Sequence, residues 1–220
     1  MLTNNIDFKN FNKKKPNKKI FDLFKKLIKE NNEILNSLRK NYKDSYSKKI
    51  VSKFKKISHF TVIGMGGSIL GSLSIYSFLK HKIKKFFIFK DNLEQSKTGL
   101  ETKKNQLNLI ISKSGNTLET ISNISFLMNN TKNNIFITEN KKSYLSDLAK
   151  KLKSEVIHHN NFIGGRYSVL SEVGMLPSEL MGLKVNKFRR LNLLNFFGLY
   201  PISSAGNIPT SDRTEYLPPI

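Results

Sequence analysis

Three short stretches of this sequence combine glycine with hydroxyl or guanidinium side chains, which are groups that bind phosphate and stabilise developing oxyanions. They occupy residues 64–71, 112–120 and 164–171. The first two directly follow apolar runs, which is the pattern of a β-strand that ends in a turn.

The first stretch reads GMGGSILG, from Gly64 to Gly71. Glycine permits positive φ and a close approach of ligand to backbone, and free N–H groups at the start of a following helix favour an anion. A dinucleotide fingerprint would need glycine at position 69, where this chain has Ile69, so a dinucleotide ligand is disfavoured. A phosphate ligand and a tight turn without any ligand remain as alternatives.

The second stretch, residues 111–120, reads ISKSGNTLET and again joins an apolar run to a helical pattern. It offers the hydroxyls of Ser112, Ser114 and Thr117, and each hydrogen bond to a charged oxygen contributes about 1.5 to 3 kcal/mol. The alternative is a helix N-cap, since the segment from Asn116 to Glu119 resembles a capping box. Two turns of this kind in one domain favour a phosphate site.

The third stretch centres on Arg166, which is the only arginine between Arg39 and Arg189. Its planar, permanently charged guanidinium suits a developing oxyanion, and the alternative is a structural ion pair with a nearby carboxylate. The adjacent His158 and His159 would point to opposite faces of a strand, so we interpret them as structural. The sequence has no metal-ligand spacing, and we predict no metal site.

The surrounding pattern predicts strands at 59–63, 86–90, 107–112, 134–138 and 155–158. Helices are predicted between them, at 68–79, 117–128 and 144–152. This alternation predicts an α/β fold, with a parallel sheet flanked by helices on both faces. Ligands of such sheets bind beyond the carboxyl ends of the strands, where the first two stretches fall.

The chain divides by composition into three parts. Residues 1–56 form a basic lead-in followed by predicted helices at 20–40 and 44–56, which we expect to be a helical appendage packed on the main domain. Residues 57–190 form the α/β domain. Residues 191–220 contain no Lys and four of the six prolines, which indicates an irregular tail or a sequence of different origin, and we favour the second.

Composition narrows the classes of partner. The chain has no Cys, no secretory h-region and no apolar run near the roughly 18 to 20 residues of a membrane span, so we expect a soluble cytoplasmic protein without a membrane partner. The net charge is +22, but 33 of the 38 basic residues are Lys. Because base readout relies on Arg, we predict no specific nucleic-acid partner, only steering of anionic substrates.

The three stretches, in this order, resemble the phosphoglucose isomerase family. The family pattern G-x-G-G-S falls at 64–68, S-K-[ST]-x-x-T-x-E-T at 112–120, and G-G-R-[YF]-S-V-L-S-x-V-G at 164–174, where Leu-Pro follows. The resemblance covers roughly residues 20–190. The second stretch is also similar to the general sugar isomerase (SIS) domain, so the resemblance implies an SIS-type sheet.

The resemblance also implies roles for individual residues. Ser112, Ser114 and Thr117, with the backbone around Lys113, would bind the sugar phosphate. Gly67 and Ser68 would line the sugar. Arg166 would stabilise the enediolate formed as a proton moves between C1 and C2 of glucose 6-phosphate and fructose 6-phosphate. The implied partner is a phosphorylated hexose, without metal or organic cofactor, and full-length members of the family form dimers.

One part of the family pattern does not occur in these 220 residues. Members take a Glu general base, a His for ring opening and a Lys from a second SIS domain. We therefore expect an amino-terminal portion of an isomerase that binds phosphate but has little or no turnover, because a positioned base contributes typically 10²- to 10⁴-fold. The alternative is a non-catalytic sugar-phosphate-binding SIS module, such as a sensor, although residues 20–56 lack the features of a DNA-binding helix-turn-helix.

Overall fold

The computed structural model describes residues 17–93, 106–127 and 133–189. The chain divides into two units, and the unit Glu30–Leu191 carries the sheet and most helices, whereas the first helix belongs to the other. No helix in the described ranges is long and apolar enough to cross a membrane. The lead-in was predicted at 1–19, and its first 16 residues lie outside the described residues, as does the predicted tail at 191–220.

In the described part of the chain, five strands form one parallel sheet in the order β2-β1-β3-β4-β5. The strands are β1 (His59–Gly64), β2 (Phe86–Lys90), β3 (Gln106–Ile111), β4 (Asn134–Thr138) and β5 (Glu155–His158). Gly64 is level with Ile111, and Ile111 with Ile137. The three central strands therefore end together, so the loops that follow them emerge side by side.

Helices connect and flank these strands. They are α1 (Lys18–Lys29), α2 (Glu33–Ser37), α3 (Lys48–Lys53), α4 (Leu70–Leu79), α5 (Leu118–Leu127), α6 (Tyr144–Lys151) and α7 (Glu172–Leu180). Short 3-10 turns, among them Gly66–Ser68 and Gly165–Leu170, precede α4 and α7. The five predicted strands agree with the observed ones to within one residue at each end.

The sheet has an apolar layer on each face, because successive side chains of a strand point to opposite faces and both sets are apolar here. On one face, residues such as Val62 and Leu109 pack with side chains from α3, α4 and α7. On the other, residues such as Ile63 and Phe136 pack with α5 and α6. The predicted fold class, a parallel sheet flanked by helices on both faces, is confirmed.

The predicted amino-terminal helices are partly wrong. The helix predicted at 20–40 is broken after Lys29, because the extended Asn32 begins a new helix by accepting a hydrogen bond from Ile34 N–H at 2.8 Å. The helix predicted at 44–56 shrinks to α3. The residues that flank α3 enter the main core through Tyr46 and Phe54.

The first helix, α1, does not bury the face that its sequence pattern indicates. None of its residues is buried, and the large apolar side chains of Ile20, Leu23 and Leu27 are exposed. Only the later part of the predicted appendage, beyond α2, therefore contributes to the apolar core that covers the sheet.

Candidate functional site

All three stretches lie at the carboxyl edge of the sheet, and the third contacts the other two. The first forms the turn after β1, the second links β3 to α5, and the third lies between β5 and α7. A Cβ on Gly67 would overlap the backbone of Gly165, whose Cα lies 2.7 Å from that position. A Cβ on Gly164 would lie 3.0 Å from Lys113 Nζ. Glycine at these positions allows the close contacts.

The second stretch forms a cluster of hydroxyl groups before α5. Ser112 Oγ is buried and lies 2.8 Å from Thr117 Oγ1 and 3.5 Å from Ser114 Oγ. Backbone N–H groups of Gly115 and Asn116 donate to Ser112 Oγ and Ser114 Oγ at 3.1 and 3.2 Å. The cluster, which we call the hydroxyl cluster, stands with the free N–H groups at the start of a ten-residue helix, and this combination suits an oxyanion.

The capping-box alternative for this stretch does not match the structure. Asn116 Oδ1 accepts a hydrogen bond from the backbone N–H of Tyr144 at 2.9 Å, so this side chain ties the loop to α6. A capping box is present at α6 instead, between Ser143 and Ser146. The loop that carries the hydroxyl cluster is thus held by its contact with the start of α6.

Gly115 explains how the loop lies so close to α6. Its φ of +69° is in the left-handed region, and a Cβ there would overlap Ser143 Oγ and lie 2.9 Å from Thr138 Oγ1. A side chain at this position would meet both a backbone penalty and a steric one. The loop conformation therefore requires glycine.

The ammonium of Lys113 takes no part in the hydrogen bonds of the hydroxyl cluster. Lys113 Nζ donates to the carbonyl oxygen of Asn161 at 2.7 Å and lies 3.6 Å from a carboxylate oxygen of Glu139. The hydrogen bond and charge of Lys141, with a smaller contribution from Lys113, outweigh the effect of burial and lower the pKa of Glu139. Lys113 thereby links the second stretch to the loop before Arg166.

Arg166 and Ser68 present unoccupied polar groups. Arg166 is exposed and makes no ion pair with any described carboxylate. The alternative interpretation of this arginine, an ion pair with a nearby carboxylate, therefore has no support among the described residues. Ser68 is half-buried, and within the described ranges its hydroxyl has no hydrogen bond. Both side chains are available for a ligand at this edge.

A buried hydrogen-bonded pair, His159 and Glu172, lies at the two ends of the segment that contains the third stretch. Glu172, the first residue of α7, accepts hydrogen bonds from His159 Nδ1 and from the backbone N–H of Asn160, the latter at 2.9 Å. Burial raises the pKa of Glu172, but the hydrogen bond from His159, with those from backbone N–H groups, lowers it overall. His158 is exposed while His159 is buried, in keeping with the structural role predicted for this pair.

Arg189 is a supporting residue that sequence analysis did not identify. Its buried guanidinium forms a two-point ion pair with Asp44, donates to the carbonyl of Leu170 at 2.8 Å and lies over the ring of Tyr42. It therefore holds the end of the 3-10 turn that carries Arg166. The available signal was the rarity of arginine in a lysine-rich chain, but nothing in the sequence pointed to Asp44 as its partner.

Metal chemistry has no candidate ligand set in the part of the chain that the structure describes. Within those ranges, no three His, Asp or Glu side chains are grouped in a way that could hold an ion.

Solved structures share this α/β fold, a parallel sheet flanked by helices on both faces. A hypothetical protein from Thermus thermophilus is 20% identical with a TM-score of 0.64, covering 83% of this chain and 49% of that one. A ligand-bound protein from Escherichia coli CFT073 is 17% identical with a TM-score of 0.51, covering 83% of this chain and 99% of that one. At these identities the likeness concerns the fold alone.

A family model described as phosphoglucose isomerase matches residues 12–191. The chain therefore belongs to the phosphoglucose isomerase family, as the three stretches predicted. A glucose-6-phosphate isomerase from Methanocaldococcus jannaschii is 36% identical over 152 residues, and one from Borreliella afzelii is 36% identical over 140 residues. These matches cover 62% and 56% of this chain, but only 37% and 26% of the relatives' own length.

Proposed function

We propose that this protein is the phosphosugar-binding part of an aldose–ketose isomerase that interconverts glucose 6-phosphate and fructose 6-phosphate. Family membership supports the reaction class. The observation that carries the proposal for this chain is the convergence of the three stretches, with Gly67 against Gly165 and Lys113 against Gly164 at one sheet edge.

The hydroxyl cluster would bind the phosphate. Ser112, Ser114 and Thr117 can rotate their hydroxyl hydrogens toward a phosphate oxygen, and the first N–H groups of α5 add donors with the favourable sign of the helix dipole. Several such bonds, at about 1.5 to 3 kcal/mol each, are enough to bind a dianion without arginine. Lys113 contributes through its backbone in this proposal.

The sugar would lie between the hydroxyl cluster and the other two stretches. Gly67 leaves room for close approach and the free hydroxyl of Ser68 faces the same edge, so both would contact sugar hydroxyls. Proton removal at C2 or C1 places negative charge on the enediolate oxygens. The unpaired guanidinium of Arg166 would stabilise that charge by electrostatics and hydrogen bonds.

The proton transfer itself needs a base, which we propose lies outside this sequence, as does the group that opens the sugar ring. The chain matches only 26–37% of the length of its glucose-6-phosphate isomerase relatives, which leaves room for such a contribution. The reaction moves a proton without net oxidation, so it requires no cofactor.

We further propose that residues 57–190 are the functional domain and that the protein is located in the cytoplasm. We propose dimer formation only for the complete enzyme.

Ligand binding and turnover test this proposal together. We expect 6-phosphogluconate, an open-chain sugar phosphate with a carboxylate near the enediolate position, to raise the melting temperature of the chain, whereas gluconate should not. Arg166→Ala should bind inorganic phosphate as the original chain does and 6-phosphogluconate about tenfold less tightly, since one charge-assisted hydrogen bond is lost.

The outcomes separate the parts of the proposal. Isomerase turnover by the purified chain would contradict the absence of a base. Failure of every phosphorylated sugar to stabilise the chain would contradict the binding site. Equal affinity of Arg166→Ala and the original chain for 6-phosphogluconate would favour the alternative of a non-catalytic phosphosugar-binding module.

A further inference from the structure

The side chain of Lys113 connects two loops that are distant in sequence. Its backbone belongs to the stretch that carries the hydroxyl cluster, and its carbonyl accepts a hydrogen bond from Glu139 N–H at 3.1 Å. Its ammonium reaches the carbonyl of Asn161, 48 residues further along the chain. We call residues 160–166, which lead from β5 to Arg166, the arginine loop.

The arginine loop is anchored at its first residue, where the backbone N–H of Asn160 donates to Glu172 at 2.9 Å. Beyond Asn160, the described hydrogen bonds from loop N–H groups are local, from Phe162 N–H to Asn160 Oδ1 at 2.9 Å and from Ile163 N–H to the carbonyl of Asn160 at 3.2 Å. A hydrogen bond from a charged donor is roughly twice as strong as one between neutral groups. Gly164 also lies against the Lys113 ammonium, so the contact extends to the residues next to Arg166.

Glu139 lies beside this ammonium, but its closer ion pair is with Lys141. Its carboxylate lies 3.6 Å from Lys113 Nζ but also forms a direct ion pair with Lys141. Removal of the Lys113 charge would therefore leave Glu139 compensated by Lys141. A neutral substitution at Lys113 thus isolates the contact with the arginine loop.

We propose that Lys113 is a positioning residue that couples the hydroxyl cluster to the arginine loop, so that phosphate bound at the cluster restrains the backbone on which Arg166 stands. Its ammonium binds the loop and does not bind the phosphate. The identity of the ligand rests on the proposed function, whereas the connection between the loops rests on the contacts of Lys113 alone.

Amide hydrogen exchange of the ligand-free chain tests the connection. Lys113→Met keeps an aliphatic side chain of similar length and removes the ammonium, and amides of the arginine loop should then exchange about tenfold faster, as expected for loss of one charge-assisted hydrogen bond. The matched control Lys141→Met, which removes the other cation beside Glu139, should leave that exchange unchanged. Unchanged exchange in Lys113→Met would overturn the proposal.

A second variant covers the case in which Lys113→Met does not fold. Gly164 has extended backbone, with φ −165°, so alanine is tolerated there conformationally, but its Cβ would stand 3.0 Å from Lys113 Nζ and push the ammonium aside by a few tenths of an ångström, which weakens its contact with the loop. Gly164→Ala should accelerate exchange in the arginine loop in the same direction. Slower or unchanged exchange in this variant would contradict the coupling.

Inorganic phosphate tests the coupling itself. In the original chain, saturating phosphate should slow exchange at residues 112–120 and also in the arginine loop. In Lys113→Met it should slow exchange at 112–120 with an affinity within about twofold of the original, but have no effect on the arginine loop. Lys113→Arg, which retains the charge and the reach, should restore the effect on the loop at least in part.

The outcomes distinguish this inference from the proposed function. Loss of phosphate protection at residues 112–120 in Lys113→Met would show that the ammonium binds phosphate directly, which overturns the positioning role. If phosphate protects neither segment of the original chain, the proposed function fails, and the ligand-free comparison of Lys113→Met with Lys141→Met still decides whether Lys113 holds the loop.

Discussion

At the scale of single residues, the hydroxyl cluster is defined by distances between side-chain oxygens. Ser112 and Thr117 share a hydrogen bond at 2.8 Å. Their hydroxyl groups stand on short side chains, close to the backbone of the loop. Short side chains lose little conformational entropy when a ligand binds, so their hydrogen bonds are used efficiently. The proposed site would therefore bind phosphate efficiently without using the lysine side chains.

Thr117→Val tests the contribution of one hydroxyl. The change keeps the shape of the side chain and removes one donor to the phosphate, so affinity for 6-phosphogluconate should fall about 10- to 100-fold while the fold is retained. Isothermal titration calorimetry measures the affinity, and circular dichroism checks the fold.

Thr120→Val is the matched control, because it makes the same chemical change one helical turn later. Thr120 is buried and its hydroxyl has no hydrogen-bond partner among the described residues. We expect Thr120→Val to leave the affinity unchanged and to be neutral or stabilising, since it removes an unsatisfied polar group. Equal losses of affinity in both variants would show that Thr117 acts through packing of the helix and not through its hydroxyl.

At the scale of elements, the site depends on contacts between loops that follow β1, β3 and β5. The close approach of Gly67 to Gly165 joins the first loop to the third, and Lys113 joins the second to the third. The loops in turn stand on a sheet whose central strands end at the same level. Each contact is therefore made between backbones that the core already holds in place.

Gly67→Ala should separate the first and third loops. The added Cβ would collide with the backbone of Gly165, which cannot yield like a flexible side chain, so we expect a loss of about 1 to 3 kcal/mol in the free energy of unfolding and a loss of 6-phosphogluconate binding. Urea unfolding and ligand-induced thermal shift measure the two effects.

Gly182→Ala provides the comparison for this prediction. Gly182 follows α7, has φ +91° and has open space around its Cβ position. Alanine there should cost about 1 to 2 kcal/mol through its backbone conformation alone, without a change in ligand affinity. Retained binding in Gly67→Ala would contradict the role of the loop contact.

The hydrogen bonds to the Glu172 carboxylate, which join the end of β5 to the start of α7, predict a pH dependence. Because the pKa of Glu172 is lowered in the folded state, its stabilising contribution is present above the unfolded-state pKa of about 4.5 and is lost as pH falls through the lower folded-state value. Glu172→Gln should therefore be less stable than the original chain near neutral pH, by about 1 to 3 kcal/mol.

The stability difference between Glu172→Gln and the original chain should shrink as the pH falls from about 5 to about 3. Urea unfolding across that interval measures it, and the comparison of two chains cancels the titration of all other carboxyl groups. A difference that stays constant with pH would show that Glu172 stabilises the protein by packing and not by its charge.

At the scale of the whole molecule, the formal charge of +22 is the dominant long-range feature. It creates a positive potential that accelerates the arrival of anions without selecting among them. Selection would come from the carboxyl edge of the sheet, where side-chain and backbone donors have fixed positions. The two effects respond differently to salt, because a solvent-exposed field is screened while short hydrogen bonds are not.

Binding to nucleic acid should show only the generic effect of that charge. We expect affinity for a random DNA duplex to fall by about 10³-fold or more between roughly 50 and 200 mM salt and to be independent of base sequence. Fluorescence anisotropy at several salt concentrations measures this. Binding that persists at the higher salt and discriminates between sequences would contradict our prediction that the chain has no specific nucleic-acid partner.

Much of the architecture was predictable, because strand periodicity and glycine-rich turns are local properties. Strands such as Asn134–Thr138 agree residue by residue, since continuous apolar runs bounded by turn residues indicate buried parallel strands. The helix predicted across residues 20–40 was wrong because Asn32 starts a new helix through its own side chain. That local competition is not visible in apolar periodicity.

The sequence by itself determined the fold class, the three stretches and the family, because these depend on short patterns of residue type along the chain. Only the tertiary structure decided which groups meet: Gly67 with Gly165, Lys113 with Asn161, Glu172 with His159 and Arg189 with Asp44. These partners lie up to 145 residues apart, and their encounter follows from strand order and register. Pairing across such separations is a property of the folded sheet, which no local pattern of residues specifies.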